Sequence, residues 1–176
     1  MPGKVRRIVT GVNAAGRSCI VSDTLFPAGE VAPGQAVRVG LWQTSSAPAS
    51  SVEPDPAPDG VIMRTPPDHR GGTVVRITDI VPDAQHAYDP GNLRQRRAKT
   101  TPDRSARHPG FHATDTVDYA ICLEGEVWAV LDEGETLMKP GDVLIQRGTY
   151  HAWSNRSDRI ARMLFVLIDA EPLPNH

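Results

Sequence analysis

His112, Asp118 and His151 are the strongest candidates in this chain for catalysis or metal binding. Imidazole nitrogens and carboxylate oxygens bind divalent transition metals, and they also transfer protons near neutral pH. His112 and Asp118 are separated by an even number of positions in an extended segment, so strand alternation would place both on one face. His151 follows a short apolar strand and a Gly turn. We therefore expect a pocket in which two imidazoles and one carboxylate converge.

Two stretches of sequence surround these residues, one from His112 to Gly125 and one from Pro140 to Asn155. They resemble the two sequence motifs of the cupin family of small β-barrels. In the full pattern, His-x-His is followed by Glu and then Gly, and the second motif reads Gly-x-x-His-x-x-x-Asn. The positions that fit this pattern here are Gly125, Gly148, His151 and Asn155.

Three positions depart from that pattern. Thr114 stands where the second His is expected, Asp118 stands where the Glu is expected, and Gln146 replaces a Pro often found before the second motif's Gly. Segments 17–23 and 41–44 also resemble a small bacterial and fungal cupin subgroup, most of whose members have no assigned activity. The motifs imply the fold more strongly than they imply a metal site, since fold alone does not give function.

The resemblance implies an all-β, double-stranded β-helix, the cupin jelly-roll barrel of the cupin-2 type, with extra N-terminal strands and long surface loops. Residues 111–170 would form the cupin core that contains both motifs. Residues 1–110 would supply N-terminal strands and loops that pack on the barrel, within one structural domain overall. In such a barrel, His151 would face His112 and Asp118 across the lumen.

That arrangement suits a divalent metal ion such as Fe, Mn, Ni or Zn, bound by His112, Asp118 and His151 with open coordination positions. The same three residues are the predicted catalytic residues, acting on a small organic substrate. A metal of this kind serves dioxygenase, decarboxylase or lyase, and isomerase reactions, and the sequence does not separate them. Asp is shorter than Glu, and Thr114 is a poor ligand, so both substitutions weaken the predicted site.

Two alternatives keep the pocket without the metal. His112 and His151 could act as general acid and base, oriented by Asp118, in a metal-free dehydratase or isomerase. The chain could also be a non-catalytic cupin that binds a small molecule. Loss of metal, loss of activity and loss of ligand affinity in a His151 variant distinguish the three hypotheses.

Other side chains are candidates for the pocket wall. Thr114, Cys122 and Trp153 are predicted to bind substrate because each has the strand parity of a ligand residue, although a buried apolar thiol is the favoured interpretation of Cys122. His108 precedes Pro109 and Gly110 and is predicted to lie on the surface. Three further histidines, in loop or terminal contexts, are also expected on the surface: His69, His86 and His176.

Short apolar runs separated by Gly, Pro, Asn and Asp turns predict ten strands. They are expected at 5–10, 18–22, 37–43, 73–80, 116–123, 127–131, 136–139, 143–146, 151–154 and 161–168. Residues 45–60 are rich in Pro, Ala and Ser and predict an extended surface loop. Residues 92–107 carry six Arg and Lys side chains and predict a second long loop, either a solvated surface or a lid that recruits anions.

The composition of the chain limits the kinds of binding partner and the cellular compartment that we expect. The chain has 176 residues and a formal net charge of −2, which offers no field for nucleic acid or an anionic membrane. The N-terminus lacks the apolar stretch of a signal peptide, so we expect a cytoplasmic protein. Two distant cysteines make no disulfide framework. Because both faces of the last predicted strand are apolar, one face is expected to meet a second sheet or a partner subunit, and a homodimer is expected.

Overall fold

A computed structural model describes residues 4–26, 36–62, 65–66, 70–86 and 107–174. The regular structure of these residues is almost entirely β, as predicted, with one short 3-10 turn at Asp83–Gln85. All ten predicted strands are present, and their ends differ from the predicted ends by at most a few positions. The strands are β1 Val5–Val12, β2 Ser18–Phe26, β3 Val37–Thr44, β4 Thr73–Ile80, β5 Thr116–Glu124, β6 Val127–Leu131, β7 Glu135–Met138, β8 Val143–Arg147, β9 His151–Ser154 and β10 Ala161–Asp169.

Two antiparallel sheets enclose the main core. One has five strands in the order β3-β4-β10-β5-β8, and the other has three in the order β7-β6-β9. The N-terminal strands β3 and β4 are thus hydrogen-bonded into the same sheet as the strands of the cupin motifs. A separate two-stranded sheet, β1-β2, packs beside them through Val5, Phe26 and Val39.

The core between the two larger sheets follows from strand alternation. On β10, Met163, Phe165 and Leu167 are buried, and the side chains between them are only partly covered. On β5, alternation places Thr116, Asp118, Ala120 and Cys122 on the buried face. Polar residues therefore occupy one end of an otherwise apolar barrel interior.

A buried ion pair joins β4 to β10 inside the five-stranded sheet. The Arg162 guanidinium donates to both carboxylate oxygens of Asp79, at 2.6 and 2.7 Å, and Asp79 is 1% exposed. The two residues are also cross-strand partners in the sheet register. Two parallel hydrogen bonds of this kind hold both charges in one geometry.

The predicted surface loop at 45–60 contains no strand, in agreement with its composition. It is nevertheless anchored, because the buried Arg7 of β1 donates to the Asp55 carboxylate and to the Ala57 carbonyl oxygen. Ala57 itself is fully buried. The loop therefore packs against the N-terminal sheet as well as connecting two strands.

In the parts of the chain that the structure describes, no helix has the length and apolar character needed to cross a membrane.

Candidate functional site

The two motif histidines are brought together by a backbone bridge. The His112 N–H donates to the His151 carbonyl oxygen and the His151 N–H donates to the His112 carbonyl oxygen, both at 2.9 Å. Directly opposed residues of an antiparallel pair project their side chains to the same face. The imidazole ring centroids consequently lie 4.5 Å apart, with an angle of 47° between the ring planes.

This arrangement corrects the predicted geometry of the site. The prediction placed His112 and Asp118 on one continuous strand, with His151 facing them from another strand. In the structure, β5 begins only at Thr116, the chain bends at Asp115, and His112 pairs with β9 of the other sheet. Strand parity does not carry through a bend, so His112 and His151 are neighbours and Asp118 belongs to the opposite sheet.

Backbone carbonyl groups determine the tautomer of both histidines. His112 Nδ1 lies 2.8 Å from the Gly110 carbonyl oxygen, and His151 Nδ1 lies 2.9 Å from the Thr149 carbonyl oxygen. A carbonyl oxygen can only accept, so each Nδ1 carries a proton. In the neutral ring the lone pair is then on Nε2, which is the form that binds metals or accepts a proton.

Asp118 is a buried carboxyl group on β5. It is 5% exposed, and its Oδ1 has no hydrogen-bond partner among the described residues. Burial raises the pKa of Asp118 above its usual range, against the opposing effects of the Thr116 hydroxyl group and the Arg76 guanidinium. A carboxyl group with a raised pKa is suited to hold and transfer a proton.

The described residues contain no group of three or more His, Cys, Asp or Glu side chains placed to hold one metal ion. Two of the three predicted ligands, His112 and His151, are therefore together, and Asp118 does not complete a three-ligand cluster in this conformation.

The predicted wall residues occupy different environments. Trp153 contacts the His151 ring edge to face at 5.6 Å, so it shares the face of the histidines. Thr114 is partly buried, and its hydroxyl group lies 2.8 Å from that of Thr116. Cys122 is fully buried in the main core, where burial raises the pKa of its thiol. The substrate-binding roles of these three residues stay predictions.

Gln146, the residue that replaces the expected Pro, supports the site from β8. It is 3% exposed, is the cross-strand partner of Asp118, and donates to the Thr149 carbonyl oxygen at 2.7 Å. This is the same carbonyl oxygen that His151 Nδ1 contacts. Gln146 therefore helps to hold the group that orients His151.

A cavity of about 370 Å³ opens beside this part of the barrel. Gln146, Arg147 and Thr149 line it together with three leucines, Leu131, Leu144 and Leu173. Leu131 is the cross-strand partner of His151, which places the cavity next to the histidine pair. The size is in the range of small-molecule pockets.

His108 is not on the surface, contrary to the prediction from the Pro-Gly turn that follows it. It is 8% exposed, and its Nε2 lies 3.5 Å from the Asp83 carboxylate. Asp83 also accepts hydrogen bonds from the Ser154 hydroxyl group and the Asn155 N–H. Burial opposes ionisation of Asp83, but the hydrogen bonds from His108, Ser154 and Asn155 together lower its pKa. The turn is folded inward, and its buried histidine has a partly buried carboxylate partner.

Asn155 ends the second motif, and its side chain makes hydrogen bonds to backbone groups. Its amide donates to the carbonyl oxygens of Ile80 and Arg159, at 2.8 Å each, and its side-chain oxygen accepts from the Ser157 N–H. The residue is fully buried. It joins the end of β4 to the turn that follows β9.

Sequence reasoning missed Arg76 and Phe165 as neighbours of the site. Arg76 of β4 is the cross-strand partner of Phe165, and its guanidinium carbon lies 5.8 Å from the centre of the Phe165 ring. Phe165 in turn contacts Trp153 edge to face at 5.3 Å. An Arg at the inward parity of a predicted strand, between Val74 and Thr78, was the available signal.

Most of the predicted basic loop at 92–107 lies outside the described residues, as do His69 and His176. Arg107, at its end, is exposed and donates to the carbonyl oxygen of Asp132 in the turn between β6 and β7. His86 is partly buried.

Two opposed antiparallel sheets with a histidine from each motif in the interior define the cupin class of β-barrel. The family model for the cupin domain matches residues 101–167. This chain belongs to the cupin family.

Similarity to individual proteins extends over nearly the whole chain. The chain is 32% identical to phomopsin biosynthesis cluster protein D of Diaporthe leptostromiformis, over 95% of this chain and 79% of that protein. It is 29% identical to the cupin-domain-containing oxidoreductase fogC of Aspergillus ruber, over 94% of this chain and 73% of that protein. Among solved structures, the chain is similar to the polyketide cyclase RemF from Streptomyces resistomycificus, with a TM-score of 0.43 and 18% sequence identity. The match covers 82% of this chain and 72% of that chain.

Proposed function

We propose that this cupin is an enzyme that acts on a small organic molecule in the barrel interior, with the His112–His151 pair at the reacting centre and a divalent metal bound there. The observation that carries the proposal is the pair itself, two imidazoles 4.5 Å apart whose Nδ1 atoms both contact backbone carbonyl oxygens. Because both rings have the same tautomer, each has its lone pair on Nε2, the atom that binds a metal or accepts a proton. The similarity to proteins called cupin-domain-containing oxidoreductases supports an enzymatic role.

The donor chemistry fits a divalent ion such as Fe, Mn, Ni or Zn, because neutral imidazoles are its common ligands and Asp118 offers a carboxylate oxygen with no hydrogen-bond partner among the described residues. His112 and His151 would hold the ion, and Asp118 is the proposed third ligand. When bound, the metal would polarise a substrate oxygen. Its ligand set needs a shift of Asp118, since the three residues form no cluster in this conformation.

The remaining residues of the site bind and orient. Trp153 offers an aromatic face next to His151, and Thr114 and Cys122 are the other proposed substrate contacts. The mostly apolar lining of the adjacent cavity favours a substrate with an apolar body.

Metal analysis of the protein purified without chelator tests this proposal. Plasma mass spectrometry is expected to find one of these metals near one equivalent, and His151→Ala and His112→Ala should each lose most of it. His176→Ala is the control for removing one imidazole elsewhere. Absence of metal from the wild-type protein after reconstitution with Fe, Mn, Ni and Zn would reject the metal part of the proposal.

One observation favours a second candidate, a metal-free enzyme that uses acid–base catalysis. Asp118, whose pKa burial raises, lies in the same barrel interior as two imidazoles with protonated Nδ1 atoms, and such a set can donate protons to a substrate and accept them from it. In that case, a substrate found by thermal-shift screening would be turned over by metal-free wild-type protein. Both His151→Ala and Asp118→Asn would then bind it without turnover.

A further inference from the structure

We propose that His108 is a positioning residue for the His112–His151 pair, and that it holds His112 in its Nδ1–H tautomer through the backbone of Gly110. The inference deepens the proposed function, because it concerns the same site. Its first test reads a property of the side chains that is independent of metal and of turnover.

The first link is between His108 and Gly110. The Gly110 N–H donates to His108 Nδ1 at 3.0 Å. Nδ1 is therefore the unprotonated nitrogen of that ring, and the proton of the neutral imidazole is on Nε2. His108 thus has the opposite tautomer to His112 and His151.

The second link fixes the His108 ring. The Nε2 of His108 lies 3.5 Å from Asp83 Oδ2, to which it can donate. The side chain of His108 is 9% exposed and that of Asp83 is 29% exposed, so the contact is shielded from water on the histidine side. A carboxylate that accepts from a ring N–H selects the tautomer and the orientation of the ring.

The third link reaches the site. The Gly110 carbonyl oxygen lies 2.8 Å from His112 Nδ1. Gly110 is buried, and the neighbouring Phe111 is 1% exposed and packed against Val130 and Ala152. The His108 ring therefore holds the Gly110 N–H. The next peptide, whose carbonyl oxygen orients His112, is held by the packed Phe111 side chain and by the Phe111 N–H, which donates to the His108 carbonyl oxygen at 3.1 Å.

Asp83 connects this series of contacts to the second histidine. Its Oδ2 accepts from the Ser154 hydroxyl group at 2.6 Å, and its Oδ1 accepts from the Asn155 N–H at 3.1 Å. Ser154 is the last residue of β9, the strand that begins with His151. One carboxylate thus ties the segment before His112 to the strand that carries His151.

Replacement of His108 separates the positioning role from packing. His108→Leu fills similar space but leaves the buried Gly110 N–H without its acceptor, which costs free energy. Gly110 can then change its backbone dihedral angles, which moves its carbonyl oxygen relative to His112. His108→Asn places a side-chain oxygen near the position of Nδ1 and preserves the acceptor. Asp23→Asn, in the exposed Arg6–Asp23 ion pair, is the control variant away from the site.

Two-bond proton–nitrogen correlation spectra of the histidine rings are the measurement. In the wild-type protein we expect His112 to be Nδ1–H and His108 to be Nε2–H. In His108→Leu, His112 should show both tautomers, and His108→Asn should restore the single wild-type tautomer. If the protein binds Ni²⁺, the affinity of His108→Leu for Ni²⁺ should be about ten- to a hundred-fold lower than that of the wild-type protein. The affinity of Asp23→Asn for Ni²⁺ should be unchanged.

Unchanged His112 signals in a folded His108→Leu variant would overturn the proposal. If that variant does not fold, the wild-type spectrum decides, because Nε2–H at His112 or Nδ1–H at His108 contradicts the contacts on which the proposal rests. Failure of the metal hypothesis alone would leave the tautomers as described, so the two failures are distinguishable.

Discussion

At Asp118, a carboxyl group lies on the buried face of β5 next to hydrophobic residues of the barrel. Its cross-strand neighbours are Leu167 on one side and Gln146 on the other. Burial penalises the charged form, and the Thr116 hydroxyl group and the Arg76 charge only partly compensate. A residue that costs stability in its ionised form is typical of a functional site.

This cost predicts a pH-dependent effect of Asp118→Asn. Because the folded-state pKa is raised, the folded protein binds this proton more tightly than the unfolded chain, and the free energy of unfolding falls as pH rises from the ordinary value of 3.8 through the raised pKa. The amide removes that loss. We expect the variant to unfold about 2–4 °C above wild type at pH 8, roughly 1 kcal/mol for a chain of this length.

Thermal unfolding followed by circular dichroism between pH 3 and pH 8 checks this expectation. The difference should shrink toward low pH, and Asp115→Asn, at an exposed position, should show no difference at any pH. An Asp118→Asn variant that is less stable than wild type at pH 8 would contradict it.

At the scale of the elements, the turns between strands set where the motif residues lie. Gly125 ends the first motif in the turn between β5 and β6, with a φ of +71°. A Cβ added there would lie 2.8 Å from the Ile160 carbonyl oxygen and 3.0 Å from the Ala161 Cα, both backbone atoms. Gly134, in the turn between β6 and β7, has a φ of +82° and no atom within 4 Å of an added Cβ.

We expect replacement by Ala to destabilise the protein by different amounts at these two glycines. Gly134→Ala should lower the free energy of unfolding by only about 1–2 kcal/mol, because an L-residue is strained in a left-handed backbone conformation. In Gly125→Ala the new Cβ also collides with the backbone of Ile160 and Ala161, so the free energy of unfolding should fall by about 1–3 kcal/mol more. Urea unfolding of the two variants measures the difference, and equal losses would mean that the close contact with β10 is not maintained in solution.

The whole molecule leaves apolar side chains on the outer face of the five-stranded sheet. Tyr119 of β5 is 42% exposed, and Val143 and Ile145 of β8 are 58% and 51% exposed. Tyr119 and Ile145 are cross-strand partners, so the side chains form one continuous area. Apolar areas of this kind are commonly covered by another protein surface.

We predict that a second copy of the chain covers this outer face in a homodimer. Light scattering at micromolar concentration should give twice the monomer mass of 19.1 kDa for wild type and the monomer mass for Val143→Lys. Val12→Lys, at an apolar position on β1 that is 68% exposed, should remain dimeric. A monomeric wild-type protein would reject the prediction.

The strands, the turns and the two motif histidines could be identified from the sequence alone. Alternation of apolar residues and the placement of Gly, Pro, Asn and Asp are local properties, so β4, β6 and β9 occur where the pattern predicts them. The family motifs likewise located Gly125 and Asn155. The side-chain period of two also gave the buried face of β5 correctly.

Which of these residues contact one another became known from the three-dimensional structure. The pairing of His112 with His151, the inward turn of His108 toward Asp83 and the place of Arg76 beside Phe165 depend on contacts between distant parts of the chain. Such contacts form because buried polar groups need partners and because sheet register is set by neighbouring strands. A local pattern contains neither piece of information, so the bend at Asp115, which moved His112 to the other sheet, could not be predicted from strand parity.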